Sequence, residues 1–271
     1  MPRSARWTES PIKDGYGEVH LSSYRYFYEW ITRLISDSRA PYTSLIFRGH
    51  RRCDWKLEPT LDRELRKLGK LRHPFVRKEH WDRFRYAMRG RRGPNPARHL
   101  PEDEWWSLGQ HHGLATPLLD WTASPFAAAY FAYFDEKPPD EKPSETDERC
   151  VFALCRTSVE MMNVKLRSAA RRLMPRKTLE FIRPLTDENA RLVSQAGLFT
   201  RSPDGMCVED WVKNHFHRAI TANLLKITFP ESNRQMALRT LNLMNINHLT
   251  LFPDASGAST FCNLGLRIQH Y

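Results

Sequence analysis

An α+β fold is what this sequence predicts, and three observations predict it. Short apolar runs of strand length are mixed with longer segments of helical period, the two kinds follow no regular βαβ order, and no internal repeat or long interior linker divides the chain. Its 271 residues suffice for one core of ordinary size. The expected organisation is an extension over residues 1–20 and a single domain over residues 21–271.

In order along the chain, "SSYRYFYEWITRLIS" sets Tyr24, Phe27, Tyr28, Ile31, Leu34 and Ile35 at helical spacing behind Ser22 or Ser23, which predicts a capped, core-packing helix. Beyond Pro41, "YTSLIF" reads as a buried strand that delivers Arg48 into Gly49. "WKLEPT" reads as a loop and "LDRELRKLGKL" as a helix, whereas the Gly and Pro of "MRGRRGPNPAR" forbid regular structure. From Trp105 to Glu136 runs "WWSLGQHHGLATPLLDWTASPFAAAYFAYFDE". Its "LLDWT" predicts a strand, followed by a helix behind a cap at Thr122 or Ser124 with Pro125 at its start. Ala127, Ala128 and Ala129 would let that helix approach its neighbour closely.

Residues 135–149 hold seven acids, three bases and three prolines, which predicts a solvated, mobile loop. "CVFALCR" and "LEFIRPL" read as strands, and "VEDWVKNHFHRAITANLL" as a helix with Val208, Trp211, Val212 and Phe216 on one face. "LKITF" reads as a strand, "ESNRQMALRTLNLM" as a helix, and "HLTLFPDASGAST" as a strand running into a turn.

The charge balance is lopsided. The formal net charge is +11 with a pI near 9.6. Residues 61–98 carry thirteen Lys or Arg against four Asp or Glu, and "KLRSAARRLMPRK" at 165–177 adds six bases without an acid. This favours an anionic partner, nucleic acid first. No run reaches the ~20 apolar residues of a membrane helix, and "MPRSARWTESP" lacks the apolar stretch of a signal peptide. An odd number of cysteines, at 53, 150, 155, 207 and 262, predicts free thiols in a reducing cytoplasm. His111 and His112 would point to opposite sides of a strand, so no metal site is expected. Trp105 and Trp106, beside the basic segment, are open to two readings, core packing or stacking of an unpaired base.

"FRGH", "LEPTLDRE", "LGQHHGLATPLLDWTASPFAAAYFA", "RLVSQAGLFT" and "LTLFPDASG" together resemble the FRG domain family, over roughly Leu21 to Gly257. Pro117 departs from the family pattern, which has arginine there. An Arg-Gly ending an early strand, then a Ser/Thr-bearing strand and an "A..FA" helix, is also similar to the ADP-ribosyltransferase fold, a split mixed or antiparallel sheet with surrounding helices. That resemblance implies an NAD-dependent enzyme without a metal. Arg48 would grip the phosphates and ribose of NAD, Gly49 would open the backbone to it, and Thr122 would supply the strand hydroxyl. Gln110, His111, Thr116, Asp120 and Trp121 would complete the cavity, with Tyr130 and Phe199 as further stacking surfaces. A late acid is needed, and Asp254 is the candidate, with Gln195 as a ribose ligand and Asp120 as a second acid; Asp254 is equally readable as a turn residue ahead of Gly257.

With +11 the implied acceptor is RNA or DNA, and the implied role that of a toxin or phage-defence effector, with an antitoxin protein as a further partner. Two rival readings are a non-catalytic nucleic-acid-binding module and a metal-independent nuclease using His111 or His112 with Gln110.

Overall fold

Among the described residues of this computed structural model (5–36, 45–92, 99–136, 147–169, 178–183 and 197–271), alternating apolar segments form strands and 3.6-period segments form helices. The strands are β1 (Trp7–Glu9), β2 (Tyr16–Leu21), β3 (Leu45–His50), β4 (Leu118–Thr122), β5 (Glu148–Cys155), β6 (Glu180–Ile182), β7 (Gly197–Arg201) and β8 (Leu224–Pro230). The helices are α1 (Phe27–Ser36), α2 (Thr60–Lys67), α3 (Val76–Ala87), α4 (Glu102–His111), α5 (Pro125–Phe134), α6 (Arg156–Ala169), α7 (Val208–His215), α8 (Arg234–Leu243), α9 (His248–Leu251) and α10 (Ala255–Arg267).

One mixed sheet runs β1-β2-β8-β5-β3-β4-β7-β6, with β2 and β8 parallel and the other neighbours antiparallel. The fold is α+β. Residues alternate between its faces: Leu45, Phe47, Val151 and Ala153 join one buried cluster, while Ile46, Cys150, Phe152 and Leu154 join another. The first cluster lies under α1, α5 and α8, with Tyr133 stacked on Phe229 at 5.0 Å between ring centres. The second packs Val159 of α6 and Trp211 and Val212 of α7. A third joins α2 and α4 to Leu118, Ile182 and Phe199.

Gly49 decides how closely α5 can lie on β3. A Cβ at this position would stand 1.9 Å from the Ala128 carbonyl oxygen and 2.7 Å from the Ala132 nitrogen. The missing side chain therefore admits a helix backbone, where the resemblance implied access for a dinucleotide. Ser124 caps α5 by accepting from the Ala127 amide at 3.2 Å, with Pro125 in the first turn. At the other end Arg149, fully buried on β5, donates to the carbonyls of Ala132 and Asp135 at 2.8 Å each and pairs with Glu231.

Several expectations are corrected. The supposed extension over residues 1–20 supplies β1 and most of β2. The helix expected from Val208 onward ends at His215. "HLTLFPDASGAST" is two helices: Asn247 closes a capping box with Thr250, and Asp254 caps α10 by accepting from the Gly257 amide at 2.8 Å. Local capping thus overrides the strand-like look of a short apolar run. "WWSLGQH" lies on α4 and His112 caps its end, so neither histidine is on a strand. α3 was not expected. The acidic stretch is strand from Glu148, and residues 137–146 lie outside the described residues, as do 93–98, 170–177 and Gln195.

Substituting Gly49→Ala forces α5 off β3. We expect a loss of about 3 kcal/mol or more, or failure to fold, read as the shift of the urea midpoint.

Candidate functional site

β3 pairs with β5 at every position from Leu45 to His50, and β4 pairs with β7 from Leu118 to Thr122. Between β3 and β4 one register pair forms, Phe47 with Thr122. Past it the strands part, and a cleft of about 380 Å³ opens there, a volume within the usual range for a small-ligand site. The parted strands supply Arg48, His50, Asp120, Trp121 and Thr122 to its walls. Arg51 and Trp55 come from the segment after β3, Arg63 from α2, and Phe131, Phe134, Asp135 and Phe252 from α5, its end and the turn after α9.

Arg48 spans the gap. Its Nη1 donates to the Asp120 carbonyl at 2.8 Å and to Asp120 Oδ2 at 3.3 Å, while Nε donates to His50 Nε2 at 3.0 Å. Asp120 Oδ1 in turn accepts from Gln110 Nε2 at 2.5 Å, and the Gln110 carbonyl accepts from the Thr116 hydroxyl. A continuous chain, His50–Arg48–Asp120–Gln110–Thr116, fixes the guanidinium with its side chain 21% exposed.

Burial pulls the Arg48 pKa down, the Asp120 carboxylate opposes this, and the neighbouring Arg63 charge adds to the lowering. Burial, then the Arg48 charge, drives His50 well below 6.5. His50 is thus neutral, and because Nε2 accepts from Arg48 its proton sits on Nδ1. Arg51 lies over the Trp55 ring at 5.0 Å, and Trp55 is 40% exposed, leaving an indole face for a ligand. Three guanidiniums against the carboxylates of Asp120 and Asp135, with aromatic walls, suit a phosphorylated ligand that carries planar rings.

The site brings together Arg48, Gly49, Asp120, Trp121 and Thr122 from the expected set. The Trp121 indole is buried in the second core cluster and donates to Thr200 at 2.8 Å, so it is no stacking surface, and Thr122 Oγ1 accepts from the Ser124 amide at 3.1 Å. Gln110 and Thr116 stand one step behind, orienting Asp120. His111 ends α4, its ring 4.9 Å from that of His112, away from the cleft lining. Tyr130 is fully buried with its hydroxyl 3.2 Å from His248 Nδ1, so it is no stacking surface. Phe199 belongs to the third core cluster, and Trp105 and Trp106 are buried, which decides for core packing. Asp254 is a helix cap rather than a strand acid.

Sequence reasoning missed His50, Arg51, Trp55, Arg63, Asp135 and the three phenylalanines. The two-residue period of a strand puts His50 on the face of Arg48, and that signal was available. The acids of "LEPTLDRE" prove structural. Glu58 pairs with Arg66 at 2.5 Å, and the buried Asp62 holds Arg77 at 2.7 Å and the Gly205 amide at 2.8 Å. Among the described residues no three His, Cys, Asp or Glu side chains converge as metal ligands, and no helix is long and apolar enough to cross a membrane. The five cysteines are free thiols, four of them buried.

The family model for the FRG domain matches residues 43–141. That span holds β3, β4 and α5, and thus nearly the whole cleft lining. Neither the curated proteins nor the solved structures contain a match.

His50 should make stability pH-dependent. A histidine neutral in the fold but free to protonate when unfolded contributes nothing above its unfolded pKa, and costs stability as pH drops below about 6.5. We expect stability to decline toward pH 5 with His50 contributing up to about 1.4 kcal/mol per pH unit, and His50→Gln to flatten that slope in urea melts.

Proposed function

Taking residues 43–141 as an FRG domain, we propose that this protein is an NAD-dependent ADP-ribosyltransferase whose acceptor is nucleic acid. The observation that carries this reading is the Arg48 guanidinium, tied across the gap between β3 and β4 on the wall of a cleft it shares with Arg51 and Arg63. Arginine forks match a diphosphate bidentately. Trp55, Phe131, Phe134 and Phe252 offer the ring surfaces that nicotinamide and adenine require.

In the transfer, the ribose C1′–N bond to nicotinamide breaks and its electron pair leaves on the ring nitrogen. Positive charge grows on the ribose, and a fixed carboxylate lowers the energy of that charge. The acceptor's lone pair then forms the new bond to C1′ and its proton passes to a carboxylate. Asp120, oriented by Gln110 and lining the cleft, takes the role for which Asp254 was a candidate. Thr122 stands on the same wall to meet a ribose or amide group. The net charge of +11 favours a polyanionic acceptor over a neutral one.

The test is incubation with NAD labelled in the adenylate, followed by separation of RNA, DNA and protein. Label should enter a nucleic-acid fraction, and Arg48→Lys or Asp120→Asn should lower it by about 100-fold while the thermal midpoint stays measurable. Folded protein that labels no fraction contradicts the reading, as does full transfer by Arg48→Lys.

A further inference from the structure

We propose that the C-terminal half of α3 and the turn after it form the docking surface for the acceptor, and that this acceptor is single-stranded. As an acceptor site it rests on the transfer reading above; as a nucleic-acid surface it does not.

Residues 83–92 hold five arginines and no acid. Three of these guanidiniums, those of Arg85, Arg89 and Arg92, lie over aromatic faces. Arg85 sits 4.3 Å from the Trp81 ring and 5.7 Å from Trp105, Arg92 lies 4.8 Å from Trp105, and Arg89 lies 5.2 Å from Tyr86. Stacking holds a guanidinium's plane while its edge N–H groups stay directed outward, so less side-chain freedom is lost when phosphate arrives. The acid at the border, Asp82, is matched by Lys78 at 2.7 Å and by Arg85 at 4.0 Å.

A hollow of about 420 Å³ lies among Arg85, Tyr86, Arg89, Arg92 and Trp105, with the paired Asp82 also on its wall. Tyr86 is 71% exposed at its rim. An exposed ring between cations is of no use to an acidic polypeptide or to the paired bases of a duplex, whose faces are hidden. It is what an unpaired base stacks on, with the flanking phosphates against the arginines. α4 joins this surface to the cleft: Trp105 lies under the hollow, and Gln110, five residues or about 7.5 Å further along the helix, orients Asp120.

The test uses fluorescence polarisation with labelled single-stranded RNA and DNA oligonucleotides, the matching duplex and labelled poly-glutamate, at about 50 and 200 mM salt. The single strands should bind best, with affinity falling as salt rises. Tyr86→Ala should weaken single-strand binding about tenfold with its salt dependence unchanged. Arg89→Gln should weaken it and lower the slope of log affinity on log salt by about 0.7. Both side chains are exposed, so thermal midpoints equal to wild type should accompany these losses. Unaltered affinity in both folded variants overturns the proposal, as does equal or tighter binding of poly-glutamate or duplex. Single-strand binding lost with Tyr86→Ala in a protein that transfers no label from NAD leaves this surface standing and removes the transfer reading alone.

Discussion

β3 and β4 share one register pair and then separate, and the rest of the site depends on that break. A continued ladder would satisfy the backbone groups of Arg48 to His50 and Asp120 with each other and leave no room between them. Instead the Arg48 side chain crosses the gap and donates to the Asp120 carbonyl that faces it. The same bond that closes the sheet electrostatically thus leaves it open sterically. A half-buried cation at such a place is tolerable because a carboxylate and a neutral imidazole both contact it.

The break also explains α5. The chain leaves β4 at Thr122, is capped at Ser124, and folds straight back across β3, where Gly49 allows helix and strand backbones to touch. The Arg149 guanidinium then ties down the helix's last carbonyls. One end of the cleft is therefore walled by rings of α5, and its width is set by backbone contacts rather than by long side chains. "FRGH" and "LLDWTASPFAAAYF" belong together for this reason: one provides the landing site for the helix that the other encodes.

What was legible in the sequence had local causes. β3, β4 and α5, with Ser124 as cap and Pro125 behind it, follow from strand length, small residues and capping chemistry, and Arg48, Asp120 and Thr122, to which the resemblance pointed, lie on those elements beside the cleft. The C-terminal strand was misread because "HLTLF" is too short to distinguish period 2 from period 3.6, and because Asn247 and Asp254 do as caps what they also do in turns. Phe131 and Phe134 face the cleft in place of Tyr130, since the orientation of an all-apolar helix is set by its neighbours and not by its own pattern. Arg63 and Phe252 reach the cleft only through long-range packing, which no window of sequence contains.

The claim on which all of this stands is that the guanidinium bridging β3 and β4 is also the group that receives a dinucleotide's diphosphate. Nitrogen-15 spectra of the arginine side chains address it directly, with the Arg48 Nε–H signal assigned by its loss in Arg48→Lys. That signal should be protected from solvent exchange in the free protein by its bond to His50, and should shift in a saturable manner as NAD is added. An Arg48 signal that stays unmoved at NAD concentrations that shift other resonances would contradict the account.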